Sequence, residues 1–186
     1  PTGQVTVKTQ GLVFLPNVVA TATGPVTDLS TYSTAPGEMD PSNLITNFIQ
    51  TNSTQFSFNY SDPGTSKFGG AILSFGSTRP DLSTGGELVF EVSGVTQLIV
   101  SVSDDVVIGT NPDGSPQYRS VNLLFTNLSA TNKYLHVKAS DLLLALPGFH
   151  PSQITSVSFI VDPKTLPLPT GQVTVKTQGL VFLPNV

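Results

Sequence analysis

The chain has 186 residues, with eight Lys and Arg against twelve Asp and Glu, a net charge of −4 and a pI near 4.8. Only 11% of its residues are charged and it has no cysteine, which excludes a basic nucleic-acid face, a disulfide frame, a thiolate nucleophile and a Cys-based metal site. No apolar run is long enough to span a bilayer as a helix and no signal peptide stands at the start, so the chain reads as a mature segment of something longer.

The first element is QVTVKTQGLVFL, a strand over Gln4–Leu15 with Gly11 as a bulge. It lies within PTGQVTVKTQGLVFLPNV (Pro1–Val18), a string that will return. Next, Asp40-Pro41 suits an N-cap and first helical position, and Leu44, Ile45, Phe48 and Ile49 share one helical face. Period-two strands follow. Phe56, Phe58 and Tyr60 alternate with Ser57 and Asn59, and Phe68–Phe75 forms another strand. In Glu87–Val92, Leu88, Phe90 and Val92 point inward, and Glu87 and Glu91 are expected to face water. Gly94 turns the chain into Leu98, Val100 and Val102.

Between Val106 and Tyr118, GTNPDGSPQ is a hairpin loop whose Asn-Pro-Asp-Gly core fits a type I turn. Val121, Leu123 and Phe125 face inward on the next strand, and Tyr134–Val137 is another, with His136 expected in solvent. Ser140-Asp141 can cap a short helix over Leu142–Leu146, which Pro147-Gly148 stops. Val157, Phe159 and Val161 complete the inward set. About eight or nine strands and one or two helical turns make an all-β, jelly-roll-like antiparallel β-sandwich.

DPKTLPLPTG (Asp162–Gly171) is a Pro-rich spacer, and the opening string then repeats without a substitution as Pro169–Val186. The expected organisation is a sandwich unit over 1–161, a linker over 162–171 and a strand copy over 172–186. Three origins fit the identity: one period of an array of near-identical repeats, an engineered duplication supplying a missing strand, or a filament cut with the same segment at both ends. The copy (Val173, Val175, Leu180, Val181, Phe182, Leu183) and its twin (Val5, Val7, Leu12, Val13, Phe14, Leu15) form the candidate assembly strand. Each copy is either the first strand of its own domain or a strand donated to a neighbour.

Two stretches, GGELVFEVSGVTQLIVSVSD (Gly85–Asp104) and FHPSQITSVSFIVDP (Phe149–Pro163), resemble the galactose-binding-domain-like jelly rolls, which include many carbohydrate-binding modules and repeat domains of bacterial surface proteins. The resemblance implies a structural calcium ion, for which Glu38, Asp40 and Asp162 are the candidate ligands, and sugar binding through exposed aromatics. The chain has no Trp, and with Tyr60 inward only Tyr32, Tyr118 and Tyr134 remain as platforms.

Nothing points to an enzyme. His136 and His150 have no metal-ligand spacing, no G-x-S-x-G elbow occurs, and Glu87 and Glu91 read as a strand face rather than a hydrolytic pair. The leading expectation is a structural repeat module of an extracellular fibre, matrix or adhesin, assembling by tandem linkage and strand complementation with neighbouring copies. The alternative is a carbohydrate-binding module of a secreted protein, with surface polysaccharide as partner. Neither reading calls for nucleic acid or membrane insertion.

Overall fold

The computed structural model describes residues 12–15, 26–27, 35–39, 45–51, 55–61, 68–126, 128, 133–162 and 170–182, with backbone pairing alone at 12–15, 26–27, 35–39, 133 and 170–182. Among the described residues the strands are β1 (Leu12–Leu15), β2 (Val26–Thr27), β3 (Ala35–Met39), β4 (Ile45–Gln50), β5 (Gln55–Ser61), β6 (Gly69–Ser74), β7 (Gly86–Ser93), β8 (Leu98–Thr110), β9 (Pro116–Phe125), β10 (Lys133–Lys138), β11 (Ser156–Val161) and β12 (Thr170–Phe182). One helix, α1 (Ala139–Ala145), follows β10. The count exceeds the eight or nine expected because β2 and β3 carry weak alternation, β4 has a helical spacing, and β12 is the strand copy expected outside the sandwich unit.

Two sheets form a sandwich. The first runs β1-β9-β8-β11-β6-β3; the second runs β10-β7-β12-β5-β4, with β2 attached to β12. All ladders are antiparallel except β1–β9, where Leu12–Leu15 runs parallel to Asn122–Phe125. The alternation read from sequence predicts the core correctly: Phe56, Phe58, Leu88, Phe90, Val100, Val102, Val121, Leu123, Val157 and Phe159 are buried between the sheets. Phe159 of the first sheet meets Phe90 edge-on at 4.9 Å and Phe56 at 5.6 Å, so aromatic contacts join the layers.

Of the helix expected after Asp40-Pro41, the described part, from Ile45 on, is instead strand β4, paired with β5. The ladder shifts register between Thr46 and Ile49, and Asn47 has a positive φ of 52°. This bulge places Ile45 in the core and Phe48 against Phe56, three residues apart, which imitates a helical period. The second helix forms, but begins at Ala139 with Lys138 as N-cap and no side-chain cap, so Ser140 and Asp141 stand inside its first turn. Only Leu142 is buried there.

The C-terminal copy does not lie beyond the sandwich. β12 runs between β5 and β7, pairing Thr170–Lys176 with Ser61–Gln55 and Thr174–Phe182 with Ser93–Gly86. Its register shifts between Thr177 and Gly179, and Gly179 is the copy of Gly11, where a bulge was expected. Of the assembly-strand residues, Val173, Val175, Leu180, Val181 and Phe182 lie in β12 and Leu12, Val13, Phe14 and Leu15 in β1. Val5, Val7 and Leu183 fall outside the described residues.

Candidate binding groove

On β6, β8, β9 and β11 every second residue faces away from the core, and at one end of that face most of these positions carry small polar side chains. Cross-strand register aligns them into rows. Ser74, Ser156, Ser103 and Ser120 stand side by side across four strands. Two residues further along each strand, Ile72, Ser158, Ser101 and Asn122 form a second row. Neighbours within a row are separated by the strand spacing of ~4.8 Å.

These rows floor an open groove of about 710 Å³. Phe68, Phe75 and Arg79 line it on the β6 side, and Asn111, Ser115, Gln117 and Tyr118 of the β8–β9 hairpin line it on the other. The hairpin is braced by its own turn. Asn111 accepts from the Gly114 N–H at 2.9 Å, Gly114 takes a φ of 86°, and Asp113 accepts from the Ser115 hydroxyl and N–H. Those two bonds hold the Asp113 carboxyl below its ordinary value. Among the described residues of the lining, Arg79 is the only charged one and none is a carboxylate. Ser101, Ser156 and Ser158 are buried and still contribute to its floor.

The base of the hairpin is locked from behind. Asp104 on β8 is fully buried and receives the Arg119 guanidinium from β9, with Nε at 3.0 Å. It also accepts from the backbone N–H groups of His150 and Val106. Burial alone would raise this carboxyl, but Arg119 and the two N–H donors outweigh it and hold it below its ordinary 3.8. Arg119 further donates to the Gly148 carbonyl at 2.7 Å and lies over the Phe149 ring at 5.9 Å. The turn after α1 is thus tied to the hairpin base.

The second sheet presents a different outer face. Glu87 and Glu91, expected in water, are 5% and 9% exposed, and Val89 between them is fully buried. The Glu87 carboxylate meets His136 Nδ1 at 2.6 Å and Lys138 Nζ at 3.2 Å, both from the adjacent β10. His136 is therefore half-buried against a carboxylate rather than in solvent. Alternation assigns a residue to a face and cannot say whether that face is covered. Nearby, burial raises the Asp141 carboxyl, with Lys138 opposing.

The candidate calcium ligands divide. Asp40 lies outside the described residues, Glu38 is in β3, and Asp162 follows β11. β3 and β11 both pair antiparallel with β6 and finish beside Gly70 and Gly69. The backbone therefore brings Glu38 and Asp162 to one end of the first sheet, two strand spacings apart, roughly 10 Å. Among the described residues no group of three or more His, Cys, Asp or Glu is placed to hold a metal ion. Of the tyrosine platforms, Tyr118 lines the groove, Tyr134 stands opposite Glu91 on the other sheet, and Tyr32 is outside the described residues. The serine rows, Asn122, Arg79 and Phe68 were not anticipated. Serine at alternate positions was the available signal, but it is also what any solvated strand face shows.

Comparisons with known proteins fit this architecture. No family model matches the chain, and no curated protein matches it. Among solved structures it is similar to a family 30 carbohydrate-binding module, with a TM-score of 0.55 and 15% identity over 80% of this chain and 91% of that one. A second family 30 structure gives 0.52 and 15% identity over 80% and 79%. A family 11 module of a cellulosomal cellulase from Clostridium thermocellum gives 0.48 and 13% identity over 82% and 88%. The chain shares the β-sandwich fold of these family 30 modules. No helix among the described residues is long and apolar enough to cross a membrane.

Proposed function

We propose that this chain is a carbohydrate-binding module of an extracellular modular protein, and that it holds a neutral polysaccharide along the groove of the first sheet. The observation that carries the reading is the pair of hydroxyl and amide rows, Ser74–Ser156–Ser103–Ser120 and Ser158–Ser101–Asn122, on the floor of an open groove. A serine hydroxyl both donates and accepts, as a sugar hydroxyl does, so such a floor can match a ligand rich in hydroxyls without net charge. Phe68, 46% exposed, and Tyr118 at opposite sides offer apolar surface to sugar ring faces. The reading is of a binder: cleaving a glycosidic bond takes a pair of carboxylates, and the lining holds none among the described residues. In this reading calcium is a structural ion, held by Glu38 and Asp162 with backbone carbonyls at the end of the first sheet.

The test is affinity electrophoresis and calorimetry against neutral glucans, mannans and xylans, with an anionic polysaccharide as control. At least one neutral polymer should be retained, and Tyr118→Ala and Asn122→Ala should each weaken it about tenfold, some 1.4 kcal/mol, with unchanged thermal stability. Absence of retention by every neutral polymer, or full affinity in both variants, would overturn the reading.

A second reading, a structural repeat module of an extracellular fibre linked in tandem, is favoured by the unbroken identity of Pro1–Val18 and Pro169–Val186. It concerns how copies connect, and is compatible with a binding groove on each.

A further inference from the structure

The second sheet is joined across its middle by one strand. Among the described residues β12 is the sole link between the β4–β5 pair and the β7–β10 pair, hydrogen-bonded to β5 on one side and β7 on the other. Withdrawing it would leave two separate ribbons with exposed ladder edges, each a template for another strand. The sequence that fills this slot exists twice in the chain, 168 positions apart, Pro1 against Pro169.

From this we infer that the slot between β5 and β7 is an intermolecular docking site, and that its partner is the Pro1–Val18 segment of a second copy of this chain. That segment would run in the register that β12 adopts, with Thr2–Phe14 in place of Thr170–Phe182. In the middle of the sheet β12 pairs seven residues with β5 and eight with β7, and Thr174, Val175 and Lys176 pair on both sides. Where the N-terminal copy is described, it has a far smaller partner: Leu12–Leu15 pairs four residues, parallel, at the edge of the first sheet. Moving it into a free slot exchanges that edge for a two-sided ladder. Identical sequence means identical slot contacts, so a chain's own C-terminal copy is favoured over a neighbour's N-terminal copy only by tethering, equivalent to a local concentration in the millimolar range. Each donor and acceptor belong to different surfaces of one chain, so the contact is heterologous. Repeated, it propagates head to tail rather than closing as a dimer.

The experiment disables one copy at a time in the full chain. Proline lacks the ladder donor and is excluded from central strands, so Val175→Pro weakens the C-terminal copy in its own slot while leaving the twin intact. Light scattering after size exclusion, across a concentration series, should show the parent and Val7→Pro as monomers and Val175→Pro as a ladder of multimers. The double variant Val7→Pro/Val175→Pro should not multimerise. If Val175→Pro does not fold alone, a synthetic Pro1–Val18 peptide added during refolding should restore a cooperative thermal transition, with one peptide per chain by native mass spectrometry, and a scrambled peptide should not. Multimers that persist in the double variant, a folded monomeric Val175→Pro at every concentration, or an unfolded Val175→Pro that the peptide fails to rescue would each overturn the inference.

Discussion

The two sheets of this sandwich share a core and differ in almost everything else. The first carries Leu12–Leu15 of one copy of the 18-residue string at its edge, in a parallel pairing of four residues; the second carries Thr170–Phe182 of the other copy near its middle, in antiparallel ladders of seven and eight pairs. LVF therefore occurs as Leu12–Phe14 and as Leu180–Phe182 in two ladders of opposite direction. The outer faces differ as well. The first sheet opens its serine rows to a groove, while β7 of the second is buried on both faces, its glutamate clamped by His136 and Lys138. The same local sequence is compatible with either position, so the choice of ladder is made by the partners available, a case of β-propensity governed by context.

That contrast can be broken at its strongest point by placing the same substitution in both copies. In dilute solution, where chains do not meet, Val181→Pro interrupts a strand paired with Val26 and Glu87 on either side and should cost about 3 kcal/mol or more. Val13→Pro alters an edge strand, where proline is tolerated, and should cost under about 1 kcal/mol. Chemical denaturation measures both, and equal losses would mean that the two sheets do not use the string differently.

A smaller effect sharpens the comparison of outer faces. Glu87→Ala removes the shared partner of His136 and Lys138 from a buried position and should cost about 2 kcal/mol. Ser158→Ala, outward on the first sheet, should stay within about 1 kcal/mol. If the serine proves the costlier of the two, the groove floor is a structural layer rather than a binding surface.

The mildest test is acid. Asp104 of the first sheet has its folded-state value depressed by Arg119 and two N–H donors, which outweigh its burial. Its stabilising contribution is therefore complete above the unfolded value near 3.9 and is lost as pH falls through the lower folded value. Asp104→Asn should be less stable than the parent at neutral pH, and the gap should narrow below about pH 4. Melting temperatures of both proteins from pH 7 to pH 2.5 report this, and a gap independent of pH would show that the clamp holds without the charge.

Much of the fold can be read from alternation alone. Phe56, Phe58 and Tyr60, or Val157, Phe159 and Val161, fall on the core side because period two maps directly onto a pleated strand. The β4 region defeats that reading for a local reason: a bulge at Asn47 stretches the spacing of Ile45 and Phe48 to three, which belongs equally to a helix. Glu87 and Glu91 defeat it for a non-local one, since burial of an outer face is decided by neighbouring strands. The groove was least legible. Tyr118 could be named as a platform, but Ser101, Ser103, Ser156 and Ser158 become rows only when β8 and β11 take their register, and no single segment encodes that alignment.

The groove floor also has a property that individual contacts do not convey. Its polar groups repeat at ~4.8 Å across the strands, in two rows about 6.7 Å apart, two residues of rise, so they form a short two-row lattice. A periodic polymer lying on a lattice meets much the same donors and acceptors after shifting by one repeat. Such a surface fixes a chain's direction and distance from the sheet more firmly than its position along the groove, and so favours a hold that can slide.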